Sequence, residues 1–306
     1  ETGRKRSFML NLIGLVGLGL VVGALSGLFG VGGGFLLTPM LNVIFNIPYN
    51  IAVGSSLCQM IGTATAASLK HSSYGHIDYR LAGLILMGSV GGAELGARLL
   101  MMLKNLGTIT VHQHVISQMY LWVNVTYVIL LSLIGVSMFL ESRRARKRAP
   151  RGGVVETRLS QKIQQIRIGP HISLPTSKIN SISVWSIILL GFATGMLSGL
   201  LGVGGSFFMN PFLIYLIGVP TDVAIGTGVF QIIFTSAYGA LSHFLKGNVN
   251  FVLVICILSG SLIGSQLGAA LNKRLRGAYI RYYFSWVIFL AIGIILIKFL
   301  LNTGYL

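Results

Sequence analysis

The chain has 306 residues, 54% of them hydrophobic and 9% charged, and a mean hydropathy of +0.80. So few charges cannot cover a soluble globule of this size, which argues against a water-soluble enzyme or binding domain and predicts a chain embedded in a bilayer. The formal net charge of +17 does not signal a nucleic-acid partner, because ten of the 23 Lys and Arg residues crowd into positions 143–178, as in a single basic loop.

The first apolar segment, 8–29, is long enough to cross about 30 Å of hydrocarbon. It has no clear small-residue cleavage site, so it is expected to be retained rather than removed as a signal peptide. It runs into GLFGVGGGFLLTPML at 27–41, after which the apolar piece 35–47 is only 13 residues long. Irregular backbone survives in hydrocarbon only where protein or a wet cavity satisfies its polar groups. Gly32, Gly33 and Gly34 permit a turn, and Pro39 removes a donor from the short helix. The predicted result is a broken or re-entrant helix whose free N-terminal amides form an anion cradle. Close helix packing through small residues is the competing reading.

In segment 51–69, Ser55, Gln59 and Thr63 fall at i, i+4 and i+8 and make one polar stripe along a helix face. A glutamine there needs a partner, and the stripe is open both to solute binding and to interhelical hydrogen bonding. His71 at the helix exit is open to a proton relay or to an interfacial polar role. Segment 81–103 carries Gly88, Gly92 and Gly96, expected to let helices pack closely. It also carries Glu94, for which a local pair with Arg98 competes with proton coupling. Segment 119–140 completes a first membrane unit, 1–140. A basic linker, 141–182, follows. It opens with RRARKRAPR and is expected on the cytoplasmic side against anionic lipid, while RIGPHISLP within it has the alternation of a small hairpin or extended cap.

The second membrane unit, 183–306, repeats this order with segments 183–201, 207–219, 222–243, 249–271 and 282–301. Sliding the chain by 172 residues lays 23–99 on 195–271 without a gap and with over a third of the positions identical, which marks a duplication. Gly204 and Gly205 match Gly32 and Gly33, Ser206 matches Gly34, and Asn210 matches Thr38. Thr227, Gln231 and Thr235 match the stripe of the first half, and His243 matches His71. Asp222, just after Pro220 and Thr221, is expected to cap a helix start. The predicted fold is an all-α polytopic membrane protein of two homologous repeats, each with about five apolar helical segments of which the second is broken or re-entrant. Counts of basic residues do not separate five crossings per half from four. The inverted arrangement is expected because broken helices paired across a pseudo-two-fold recur in transporters. Cys58 and Cys256 stand at non-equivalent apolar positions without a disulfide or metal pattern, and no motif points to catalysis or a cofactor, so a non-enzyme is expected.

The two glycine stretches, together with GSSLCQMIGTA, VPTDVAIGTGVFQ and the pair GSVGGAELGA and GSLIGSQLGA, resemble the TauE/SafE sulfite-exporter family of membrane permeases across nearly the whole chain. The resemblance implies transport, often outward, of small sulfur-containing anions such as sulfite, sulfoacetate or related sulfonates and carboxylates. At Gly228 the chain departs from relatives that carry an acid there. The expected binding residues are Gly32, Gly33, Gly34, Thr38, Ser55, Gln59 and Thr63, with Gly204, Gly205, Ser206, Asn210, Thr227, Gln231 and Thr235, around a site between the broken helices. Glu94, His71 and His243 are the candidates for coupling to H+ or Na+. An inside-negative membrane contributes about 2.3 kcal/mol per charge per 100 mV, which already drives an anion outward. The expected location is a bacterial or archaeal plasma membrane. Ion coupling and a homodimer stay open, and the competing readings are an assembly protein acting through its basic linker and a carrier of a different ion.

Overall fold

The computed structural model describes residues 2–111, 114–148, 158–165, 168–202, 205–275 and 277–303. In the first half, α1 (Thr2–Phe29), α2 (Gly34–Phe45), α3 (Tyr49–Ser73), α4 (Tyr79–Asn105) and α5 (Gln118–Arg148) follow one another. After α6 (Arg158–Gln164), the second half has α7 (Val184–Leu201), α8 (Ser206–Phe212, continued by a π turn over Leu213–Ile217), α9 (Thr221–Leu245), α10 (Phe251–Arg274) and α11 (Gly277–Thr303). Among the described residues, α1, α4, α5, α7, α9, α10 and α11 are long and apolar enough to cross a membrane. Helix α3 matches α9 in length at 25 residues but is less apolar. The fold is that of an all-α polytopic membrane protein, and α2 and α8 are the short pieces that follow the glycines.

Two small hairpins stand outside the helices. Strand β1 (Thr108–Val111) pairs antiparallel with β2 (His114–Ser117) between α4 and α5, an element the hydropathy pattern does not announce. Strand β3 (His171–Leu174) pairs with β4 (Ile179–Ser183) inside the linker, where alternation suggested a hairpin. Helix α5 continues through the start of the basic run to Arg148.

Asp78 and Asn250, at equivalent places, cap α4 and α10. Asp78 accepts from the Leu81 amide at 3.1 Å, and Asn250 accepts from those of Val252 and Leu253 at 3.0 and 3.3 Å. Asp222 differs from expectation. Pro220 holds the cap position of α9, so Asp222 lies within the first turn, where its carboxylate faces the positive end of the helix.

The halves interlock. Helix α1 packs along α10 and α4 along α7, two pairings that the 172-residue offset turns into each other, while α3 packs along α9 and α5 along α11. Small residues allow the contact: a Cβ on Gly23 would stand 2.3 Å from the Ser261 carbonyl oxygen, one on Gly195 2.2 Å from that of Ser89, and those on Gly92 and Gly264 2.1 Å from those of Phe192 and Leu20. The outward faces carry large apolar side chains such as Leu189, Ile255, Leu267 and Trp286, which suit lipid as solvent. Cys58 and Cys256 are free and half-buried.

Candidate functional site

The breaks in the two first helices are built on glycine backbone. Gly33 and Gly205 precede α2 and α8 at φ 79° and 84°, a region that disfavours any side chain, and as the cap residues of these helices they supply no side-chain acceptor. Gly32, Gly33, Gly34 and Gly205 are all buried. Gly204 lies outside the described residues, and of Ser206 only the backbone that opens α8 is described.

The carbonyl ends at the same breaks are covered. Asn210 on α8 donates through Nδ2 to the Phe29 and Gly30 carbonyls, both at 3.0 Å, and Asn272 donates to Leu28 at 2.6 Å. In the other half, Thr38 Oγ1 on α2 lies 3.4 Å from the Gly202 carbonyl and 3.1 Å from Ser56 Oγ, while the Tyr127 hydroxyl donates to Leu201 at 2.5 Å. Each short helix thus caps the carbonyl end of the other half's first helix. The far end of α2 is held by Lys298 on α11, whose Nζ donates to the Val43 carbonyl and Asn46 Oδ1, both at 2.9 Å, and to the Asn42 carbonyl. Between the two helix starts, the buried rings of Phe35 and Phe207 stack with centroids 4.7 Å apart, and Phe284 meets both edge-on.

The polar stripes face across the halves. Gln59 donates through Nε2 to Thr63 Oγ1 and, at 2.6 Å, to Ser261 Oγ on α10; Thr63 and Ser261 are 2.7 Å apart. Gln231 donates to Thr235, which lies 3.2 Å from Ser89 on α4. Ser55 and Thr227 accept from the backbone amides of Asn250 and Asp78, at 3.0 and 2.9 Å. The two glutamines therefore sit in separate clusters, each joined to the other half's fourth helix, while Met60, Ala64, Ala67, Val229 and Ile232 pack together along α3 and α9. The Oε1 atoms of Gln59 and Gln231 and the hydroxyls of Ser26 and Ser198 are buried without a partner, at equivalent places in the two halves.

His71 and His243 are buried, with Nε2 3.2 Å from the Gly27 and Gly199 carbonyls respectively and Nδ1 unpartnered. Glu94 accepts from Arg98 at 2.7 Å, as the helical spacing suggests, and also from Ser242 on α9 at 2.7 Å, with Lys246 Nζ 3.8 Å away. Outside the membrane segments, burial pushes the His76 imidazole below its ordinary value; the Asp222 carboxylate opposes the shift and Lys273 adds to it.

Several residues at this centre escaped sequence reasoning. Asn124 accepts from the Tyr49 hydroxyl at 2.7 Å, Tyr127 and Lys298 hold carbonyl ends, and Arg281 on α11 is almost wholly buried while donating to Thr221 Oγ1. A cationic residue inside an apolar segment is the signal for Lys298, and one directly at the edge of such a segment that for Arg281; basic-residue counting by loop hides both.

A helical bundle with membrane-length apolar elements, two interlocked halves and a buried break in each belongs to the class of polytopic membrane transporters. Residues 15–295 match the family model described as Sulfite exporter TauE/SafE, and the chain belongs to that family. It is 26% identical to the probable membrane transporter protein YunE of Bacillus subtilis over 87% of this chain and 90% of that protein. It is 25% identical to the probable membrane transporter protein MJ0441 of Methanocaldococcus jannaschii over 92% and 94%. A shorter stretch, 35% of this chain and 22% of the relative, is 30% identical to Sulfite exporter TauE/SafE family protein 3 of Arabidopsis thaliana. No solved structure matches the chain significantly.

Proposed function

We propose that the protein is a permease for small sulfur-containing anions, sulfite, sulfoacetate or related sulfonates and carboxylates, moving them outward across a prokaryotic plasma membrane with its basic linker on the cytoplasmic side. The observation that carries this reading is the asymmetry of capping at the breaks. The carbonyl ends of α1 and α7 are covered by Asn210, Asn272, Thr38 and Tyr127, whereas at the amide ends of α2 and α8 the cap residues are glycines, which supply no side-chain acceptor. The negative ends of the helix dipoles are neutralised and the positive ends are left to a solute, which favours an anion. In this reading the stacked Phe35 and Phe207 close the path between the helix starts, and the buried oxygens of Gln59, Gln231, Ser26 and Ser198 find partners when it is hydrated or occupied. His71, His243 and Glu94 are the groups through which a proton could be coupled. The repeats are inverted, so the two breaks approach one another from opposite leaflets.

The test is a thermal-shift panel of sulfite, sulfate, sulfoacetate, taurine and thiosulfate on detergent-purified protein, followed by efflux from proteoliposomes. At least one of the sulfur anions is expected to raise the melting temperature, and an inside-negative potential to speed its exit. A panel in which no anion shifts the transition and a metal cation does would overturn the reading.

A further inference from the structure

Arg281 is 4% exposed, and a guanidinium keeps its charge at any accessible pH. A buried charge of this kind is costly unless it is paired and its donors are used. Among the described residues no carboxylate forms an ion pair with it; the Glu141 carboxylate and Arg281 both act on Tyr215. One terminal nitrogen donates to Thr221 Oγ1, whereas Nε has no partner. The same small cavity is lined by Asn210, whose Oδ1 is also unpartnered, and by Phe29, Thr221, Ile225 and Phe284 beside the break after α1. It has room for about one water molecule.

The equivalent place in the first half is built from neutral, hydrogen-bonded side chains. Tyr49 stands where the offset puts Thr221, and its hydroxyl donates to Asn124 Oδ1 at 2.7 Å, while the Asn124 amide donates to the Tyr120 carbonyl at 2.7 Å. The second half replaces the large ring by a threonine and the satisfied amide by a cation with a spare donor.

We propose that Arg281, with Thr221 and Asn210, is the charged subsite that takes the oxyanion group of the transported solute beside the α1 break. The proposal rests on the anion-permease reading and assigns that site its counter-charge. A sulfite, sulfonate or carboxylate group accepts from the guanidinium fork, the geometry that suits paired N–H donors to two oxygens. In the closed arrangement of this structure the cavity that Arg281 and Asn210 line has room for about one water. The anion displaces it when α8 moves away from the carbonyls of Phe29 and Gly30. The subsite belongs to one half only, so the two ends of the transport path are chemically unequal.

The experiment measures binding of sulfite and sulfoacetate to the full-length purified protein by calorimetry. Arg281→Gln is expected to weaken binding by about ten-fold or more, Arg281→Lys to weaken it less, and the exposed control Arg80→Gln to leave it unchanged. Thr221→Asp puts a carboxylate against the guanidinium at the first turn of α9; it is expected to abolish anion binding while holding or raising the melting temperature. Wild-type affinity in Arg281→Gln, or in Thr221→Asp, overturns the subsite while the permease reading stands. Should Arg281→Gln fail to fold, Thr221→Asp alone decides. A wild-type protein that binds none of the panel anions takes down the permease reading and the subsite together.

Discussion

Gly92 and Gly264 lack side chains because a helix backbone occupies the place where a Cβ would go, 2.1 Å from a carbonyl oxygen in each case. Gly83 on the same helix as Gly92 meets nothing within 4 Å. Gly92→Val is therefore expected to lower the unfolding temperature sharply, by an overpacking cost of about 1–3 kcal/mol or more, whereas Gly83→Ala is neutral or stabilising by about 0.5–1 kcal/mol. Detergent melting curves separate the two, and equal effects would refute the packing account. The spacing of these glycines was readable as helix contact, but which helix they meet was not, since spacing along one helix carries no address for its partner. At His76 the sign of the pH effect follows from burial. Its folded-state pKa is depressed, so below about 6.5 the unfolded chain binds the proton and the folded chain resists it. Stability should fall as pH drops through that value toward the folded pKa, and His76→Gln should flatten this part of the profile. A profile unaltered by the substitution would remove the assignment.

At the scale of elements, the breaks were the most legible part of the chain. Glycine runs followed by a proline in hydrocarbon leave few alternatives, and α2 and α8 begin where the pattern places them. What closes the breaks was not legible. Thr38 and Asn210 stand out in the sequence as polar residues in short helices, and nothing local shows that each reaches carbonyls in the other half, 164 and 181 residues away. Asp78 and Asn250 cap their helices with no proline beside them to mark the start, whereas Pro220 marks the start of α9 and takes the cap place from Asp222. The β1–β2 hairpin escaped because two four-residue strands leave no hydropathy signal. The Phe35–Phe207 stack joins the two short helices directly. Phe35→Ala and Phe207→Ala are each expected to cost about 3–5 kcal/mol of stability as large-to-small core changes and, in protein that remains folded, to raise anion efflux from proteoliposomes. Efflux at the wild-type rate from such vesicles would argue against a gate at the stack.

For the whole molecule, duplication was visible as a gapless offset, and it foretold the equivalence of Gln59 with Gln231 and His71 with His243. It did not foretell that the cluster around each glutamine reaches the opposite half, because an offset records likeness and not proximity. The basic linker supplies a test of what the molecule is for. Replacing the basic residues between 143 and 151 by glutamine is expected to leave transport in proteoliposomes unchanged within about two-fold, since surface charge acts on lipid contact and orientation rather than on a buried path. Loss of all activity would favour an assembly role.

The interlock of α1 with α10 and of α4 with α7 bears on how the protein comes to exist. A ribosome delivers the amino-terminal half long before its partners are made, so that half must wait in the lipid with bare glycine grooves and uncovered carbonyls at residues 28–30. A gene cut within the linker should consequently yield two fragments that are degraded when made singly and survive when made together, and any insertase that shelters the nascent chain must hold it until α10 has been threaded.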